Sequence, residues 1–135
     1  MTRFALYGLA FGVGVGGIMR LPGMDAVVPA FAINLCVMTA LWLGIAIANS
    51  DRRPVTLAEC GVGLLTFVLA AAALRTTPTL LYAGFALQAL WSLAHLNQTS
   101  QYRFFAVRAP AWFSPFAAAA NVGFGLVLSA LVGWP

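Results

Sequence analysis

Five apolar runs dominate this chain, at about residues 4–19, 26–48, 57–75, 78–96 and 115–133, and charge is almost confined to the links between them. Of its 135 residues, 62% are hydrophobic and 7% charged. A water-soluble domain carries about a quarter charged residues, so most of the surface of any fold built from these runs has to face something other than water. A helix that crosses a ~30 Å hydrocarbon core needs about 20 residues, which the later four runs supply. The first run is the shortest and must stand nearly upright or thin the bilayer around it. The expected fold class is an all-α integral membrane protein: one membrane domain over residues 1–135, with a bundle of about five transmembrane helices.

Orientation follows from arginine. The chain has seven Arg, no Lys, three acids (Asp25, Asp51, Glu59) and one histidine, His95. Arg3, Arg52, Arg53, Arg103 and Arg108 fall on the N-terminal side of the alternating spans, and Arg20 and Arg75 on the other. Cytoplasmic links carry the excess of basic residues, so the N-terminus is expected in the cytoplasm and the C-terminus outside it, in a bacterial-type inner membrane. A nucleic-acid binder needs its basic residues gathered on a polar face, and their scatter along the span ends excludes that partner. The first run has the basic start of a leader, but no small-x-small cleavage site follows it, so it is read as a span.

Local chemistry marks the helix starts. Asp25 is placed to cap the second run, and Thr77-Pro78 and Ser114-Pro115 each set a hydroxyl before a proline at the first helical position. The short links at residues 20–25 and 75–78 imply antiparallel neighbours. Residues 97–113 form the one long connector, and its mixture of arginine and aromatics suits a membrane-interface segment or a docking surface, with Arg103, Arg108 and Trp112 as contact residues.

The stretch "GVGVGG", residues 12–17, satisfies the G-x-G-x-x-G pattern of a dinucleotide-binding turn. That turn needs a strand before it and an acid about 20 residues on, and an open βαβ sheet edge cannot sit in hydrocarbon. Small residues four apart instead let helix backbones approach closely in lipid. Gly8, Gly12 and Gly16 form such a face on the first helix, and Ala32, Cys36, Ala40, Gly44 and Ala48 one on the second. Ala117, Asn121, Gly125 and Ser129 form a third on the fifth.

Polar residues inside apolar runs face the interior of a bundle. Asn34, Thr66 and Gln88 fall near mid-span and Asn121 nearer the cytoplasmic side, either as a polar path for a solute or as interhelical hydrogen bonds. Glu59 is the one acid inside a run; Thr56-Leu-Ala-Glu59 reads as a capping box, with Glu59 reaching back to the Thr56 amide. His95 closes the fourth run on the face that carries Gln88, Trp91 and Ser92. Its options are a helix C-terminal cation, a proton-linked pair with Glu59, or a ligand to a metal, haem or pigment. No nucleophile–base–acid set and no zinc motif occurs, so no catalytic residue, metal site or cofactor is assigned. Cys36 and Cys60 read as small apolar packers.

"GGIMR", a following proline and "AINL" (residues 16–35) resemble the opening of the small fluoride-channel family. Its glycine-rich first helix ends in arginine, and its second helix carries an asparagine that corresponds to Asn34. The resemblance covers about a quarter of the chain. The Thr/Ser/Phe-rich third-helix motif of that family is absent, "GLLTFVL" keeping only Thr66-Phe67, and the family has four spans, so membership is not assigned.

Two classes of function remain. One is an accessory or structural subunit of a larger membrane complex, docking through small-residue faces and the 97–113 connector. The other is a homo-oligomeric channel or transporter for a small solute, with Asn34, Thr66, Gln88 and Asn121 along its path. A membrane enzyme would have to rely on Glu59 and His95. The lack of a clear charged translocation site favours the subunit, with lipids and other membrane subunits, or further copies of itself, as partners.

Overall fold

The computed structural model describes residues 2–49, 53–96 and 110–133, and among these it is all helix, with no strand. In chain order the helices are α1 (Thr2–Ile18), α2 (Met24–Asn49), α3 (Arg53–Ala73), α4 (Thr79–Ala94) and α5 (Phe113–Val132). Three of them are long and apolar enough to cross a membrane, over Met24–Ala48, Thr56–Ala73 and Phe113–Val132, whereas α1 and α4 are shorter apolar helices. α4 has 16 residues, and at 1.5 Å per residue it reaches roughly 24 Å. The expected fourth run of residues 78–96 is therefore trimmed at both ends.

Helix ends differ from the sequence reading where the capping residue was misjudged. Phe113 opens α5 with Trp112 as N-cap, so Ser114 lies inside the helix and is buried. Pro78 is likewise the N-cap of α4 rather than its first residue; the Thr77 hydroxyl before it accepts the Thr79 amide at 3.4 Å and donates to the Thr79 hydroxyl at 3.0 Å. α1 passes to α2 through a turn in which Gly23 holds φ 111°, a backbone state that side chains other than glycine rarely adopt.

Around the bundle α2 packs on α3, α3 on α4, α4 on α5 and α5 on α1. The short α1–α2 link does not make these two helices neighbours; α1 lies along α5 instead. Glycine explains that choice. A Cβ added at Gly8 would strike the backbone of Phe116, and one at Gly12 the backbone of Ala120. A Cβ at Gly16 would stand 3.2 Å from Val127, and one on the opposing Gly123 2.9 Å from the Leu9 carbonyl. Gly8, Gly12 and Gly123 bring the two backbones into direct contact and Gly16 seats the Val127 side chain, the geometry by which helices associate where no hydrophobic effect separates protein from lipid. The dinucleotide-like pattern thus lies wholly within a continuous helix.

α2 crosses the middle of the bundle antiparallel to α5. Phe31 meets Phe124 at 6.3 Å and Phe85 of α4 at 6.1 Å, both edge-on, while Phe85 and Phe124 stack at 5.7 Å. About three turns further along α2 and three turns back along α5, Trp42 stacks on Phe113 at 5.1 Å. Leu35 fills the notch at Gly84, which fixes α2 against α4.

The α1–α5 contact yields a direct test. Gly12→Leu should destabilise the protein by about 3 kcal/mol through overpacking against a backbone that cannot yield. Gly14→Leu, where an added Cβ meets nothing within 4 Å, should change stability by less than about 0.5 kcal/mol. Thermal loss of helix, followed by circular dichroism in mild detergent, distinguishes the two.

Candidate functional site

Polar chemistry concentrates at one end of the bundle, where α2, α3, α4 and α5 meet. On α4, Gln88, Trp91, Ser92 and His95 recur at helical spacing on one face, and Gln88, Ser92 and His95 are buried. On α3, Glu59 and Thr66 share the face that meets them. The antiparallel seam therefore carries two polar rungs about two turns apart. Gln88 Nε2 donates to Thr66 Oγ1 at 2.9 Å, and His95 Nε2 lies 2.7 Å from Glu59 Oε1.

The second rung is the more elaborate. Glu59 is 1% exposed and His95 2%. Glu59 Oε2 accepts the indole N–H of Trp42 from α2 and that of Trp91 from α4, each at 2.7 Å. His95 Nδ1 lies 2.7 Å from the Trp91 carbonyl; a carbonyl only accepts, so Nδ1 carries a hydrogen. The Trp42 ring stands edge-on to the imidazole at 4.8 Å, and Trp91 does so at 5.4 Å. A buried carboxylate is tolerable only when charged and neutral donors replace its lost water. Here two indole N–H groups donate to one oxygen, each at 2.7 Å, and the imidazole Nε2 lies 2.7 Å from the other.

This arrangement overturns the capping-box reading of Glu59. α3 begins at Arg53, so Thr56 lies within its first turn rather than at its N-cap, and the carboxylate reaches across to α2 and α4. The sequence reading placed Trp91 on the His95 face but missed that it and Trp42 both donate to Glu59. The available signal was that a buried indole N–H needs an acceptor, and one acid lies within the apolar runs.

The four mid-span residues do not form a single lining. Thr66 and Gln88 bond each other, with Thr66 also donating to the Val62 carbonyl at 2.9 Å. Asn121 Nδ2 donates within its own helix to the Ala117 carbonyl at 2.8 Å, and its buried Oδ1 has no hydrogen-bond partner; nor has the buried Nδ2 of Asn34. Asn34 and Asn121 each lie three residues from the Phe31–Phe124 contact, at the same level. In an antiparallel pair that equal offset of about 60° turns them to opposite flanks.

Among the packing candidates, Gly8, Gly12 and Gly16 face α5, Ala32 is buried and Cys36 is half-buried. Ala40 and Gly44 face outward, and a Cβ on Gly44 meets nothing within 4 Å. Nor would one on Gly125, which lines a groove of about 420 Å³ between α4 and α5. Ser129, in the same groove, donates to the Gly125 carbonyl at 2.9 Å. A second groove of about 370 Å³ lies against Thr2, Ala89, Pro115 and Ala118. Both are walled chiefly by apolar side chains. Trp112 is exposed beside Phe113 and Phe116, while Arg103 and Arg108 lie outside the described residues. Among the described residues no three His, Cys, Asp or Glu side chains group as metal ligands. The chain matches no protein-family model, no curated protein and no solved structure.

Removing one partner of a buried pair strands the other, at a cost of about 3–5 kcal/mol. Glu59→Leu should therefore unfold the bundle more readily than Gln88→Leu, which breaks a neutral rung. A double-mutant cycle of Gln88→Leu and Thr66→Val should return a coupling of about 0.6–1.7 kcal/mol. Both follow from denaturation in detergent monitored by tryptophan emission and circular dichroism.

Proposed function

We propose that the chain is an integral membrane protein of five spans, with its N-terminus in the cytoplasm of a bacterial-type cell. It acts as an accessory or structural subunit that docks through the outward face of α2. The observation that carries this reading is the contrast between two small-residue faces. Gly8, Gly12 and Gly16 are consumed by α5, whereas Ala40, Gly44 and Ala48 lie exposed along the half of α2 nearer the Glu59 cluster. A strip of small residues beside exposed Val37, Leu41 and Ile47 offers a partner helix the same close approach that α5 offers α1.

Membrane residence is supported by the apolar exterior. Leu6, Ile33, Leu57, Leu64 and Leu90 are all more than half exposed, positions that a water-soluble bundle fills with charge. Arg20 and Arg75 stand exposed at the turns of one end and Arg3 at the start of α1, in keeping with the arginine asymmetry. A solute path receives less support, because Thr66 and Gln88 satisfy each other and Asn34 and Asn121 diverge.

Native mass spectrometry of the protein, gently extracted from its own membrane, tests the proposal. Wild type should leave with other membrane chains attached. Gly44→Leu should lose them while its melting midpoint stays within a degree or two of wild type (about 0.5 kcal/mol). Emergence as a homo-oligomer that Gly44→Leu leaves intact would sink the reading and turn attention to solute flux in liposomes.

A further inference from the structure

We propose that the groove between α4 and α5 binds a slender membrane-soluble alcohol, whose hydroxyl donates to Asn121 Oδ1 while its apolar body lies along α5. The site lies on a different face of the bundle from the α2 strip. It shares with the docking reading only residence in the membrane.

The groove encloses about 420 Å³. That falls in the lower part of the range for ligand pockets, which combine apolar walls with a few placed polar groups. Phe85, Ala86 and Ala89 of α4 line one side, and Asn121, Gly125 and Ser129 lie along the other. Ala89 and Val122 also line the groove against Thr2 and Pro115, so the two are continuous. Together they follow α5 from Pro115 to Ser129, roughly 21 Å at 1.5 Å per residue. A furrow of that shape suits a chain-like molecule better than a compact one.

Asn121 gives the furrow its chemistry. The residue is 2% exposed. Nδ2 donates to the Ala117 carbonyl of its own helix at 2.8 Å, which turns the oxygen branch of the amide away from that carbonyl, and Oδ1 has no hydrogen-bond partner. A buried acceptor left without a donor is costly in an apolar setting, and a ligand that brings the donor recovers that cost. A hydroxyl fits because the amide nitrogen carries two hydrogens. The O–H satisfies Oδ1, and the hydroxyl lone pairs remain for the second Nδ2 hydrogen. An ether of the same shape accepts that hydrogen and still leaves Oδ1 bare. Elsewhere in the groove Ser129 donates to the Gly125 carbonyl and Tyr82 to the Gly133 carbonyl, so neither hydrogen is directed at Oδ1.

Access requires a small movement, because Oδ1 is itself buried. Ala86, Ala89 and Gly125 share the groove with it, so a slight parting of α4 from α5 admits an oxygen atom between small residues. A Cβ added at Gly125 would meet nothing within 4 Å, which leaves the α5 side open to a ligand.

The test is the melting midpoint of the full chain in uncharged lipid nanodiscs, titrated with farnesol or dodecanol and with the methyl ether of each. A ligand that binds the folded state raises the midpoint in a saturable way. At least one alcohol should do so, at a membrane concentration about tenfold or more below that of its ether, the cost of leaving a buried acceptor unpaired. Asn121→Leu should erase the preference for alcohol over ether. Gly125→Leu, which fills the groove without touching another group, should abolish the saturable response. Gly44→Leu, on the α2 strip, should leave it unchanged, so failure of this site and failure of docking at α2 are read separately. Equal responses to alcohol and ether, no saturable shift with either alcohol, or a preference that survives Asn121→Leu would each overturn the site. If Asn121→Leu does not fold, Gly125→Leu decides: a saturable response that persists there places the alcohol elsewhere.

Discussion

A carboxylate withdrawn from water organises this protein. Glu59 is buried on α3, and the atoms that make it tolerable come from elsewhere: one indole from α2, a second from α4, and the imidazole that ends α4. Phe113 joins α5 to the group by stacking on Trp42. In an apolar environment an unpaired charge of this kind costs far more than any neutral contact contributes. The folded arrangement is consequently the one that delivers both indoles and the imidazole at once. That requirement fixes the α3–α4 register, because the same register brings Thr66 opposite Gln88 two turns away. It also fixes how far α2 slides along α5, since Trp42 has to reach both Glu59 and Phe113.

The far half of the bundle is held chiefly by shape. Phe31, Phe85 and Phe124 interlock at the centre, and α1 adheres to α5 through contact between glycine-bearing backbones. These contacts depend on dispersion and close packing, which fall away within a fraction of an ångström. They therefore tolerate little substitution at the glycines, whereas the polar end depends on hydrogen-bond count and geometry. Tyr82 adds one polar tie at the shape-held end, donating to the Gly133 carbonyl at 2.8 Å where α5 terminates.

Most of the secondary structure was legible because apolar run length and link composition set it directly. α2, α3 and α5 fall within a few residues of their expected bounds, and five runs became five helices. What the sequence did not disclose was which helices touch. Link length suggested that α1 would lie on α2, but a five-residue turn constrains only where the next helix begins. The glycine faces decide where α1 adheres, and a face does not name its partner. Glu59 was misread for a related reason. Thr56 to Glu59 has the spacing of a capping box, yet the helix starts earlier, and the residues that receive the carboxylate are 17, 32 and 36 positions away. Spacing rules reach one or two turns; the donors for a buried acid come from whichever helix the tertiary fold brings near.

The same limit separates Gly12 from Gly44, which are equivalent in sequence terms because each sits in a row of small residues four apart. A row on α1 that is buried against α5 has done its work within the chain, and enlarging it damages the fold. On α2, beyond Leu35, the buried face is taken by Thr39, Trp42 and Ala46, with Trp42 reaching the Glu59 cluster. The small residues at 40, 44 and 48 are thereby turned outward. Leucine would suit that exterior better if lipid were its sole neighbour, since a small side chain leaves the backbone open and adds no packing surface. A Cβ added at Gly44 meets nothing within 4 Å, and under the proposal above this strip is where a partner helix approaches α2.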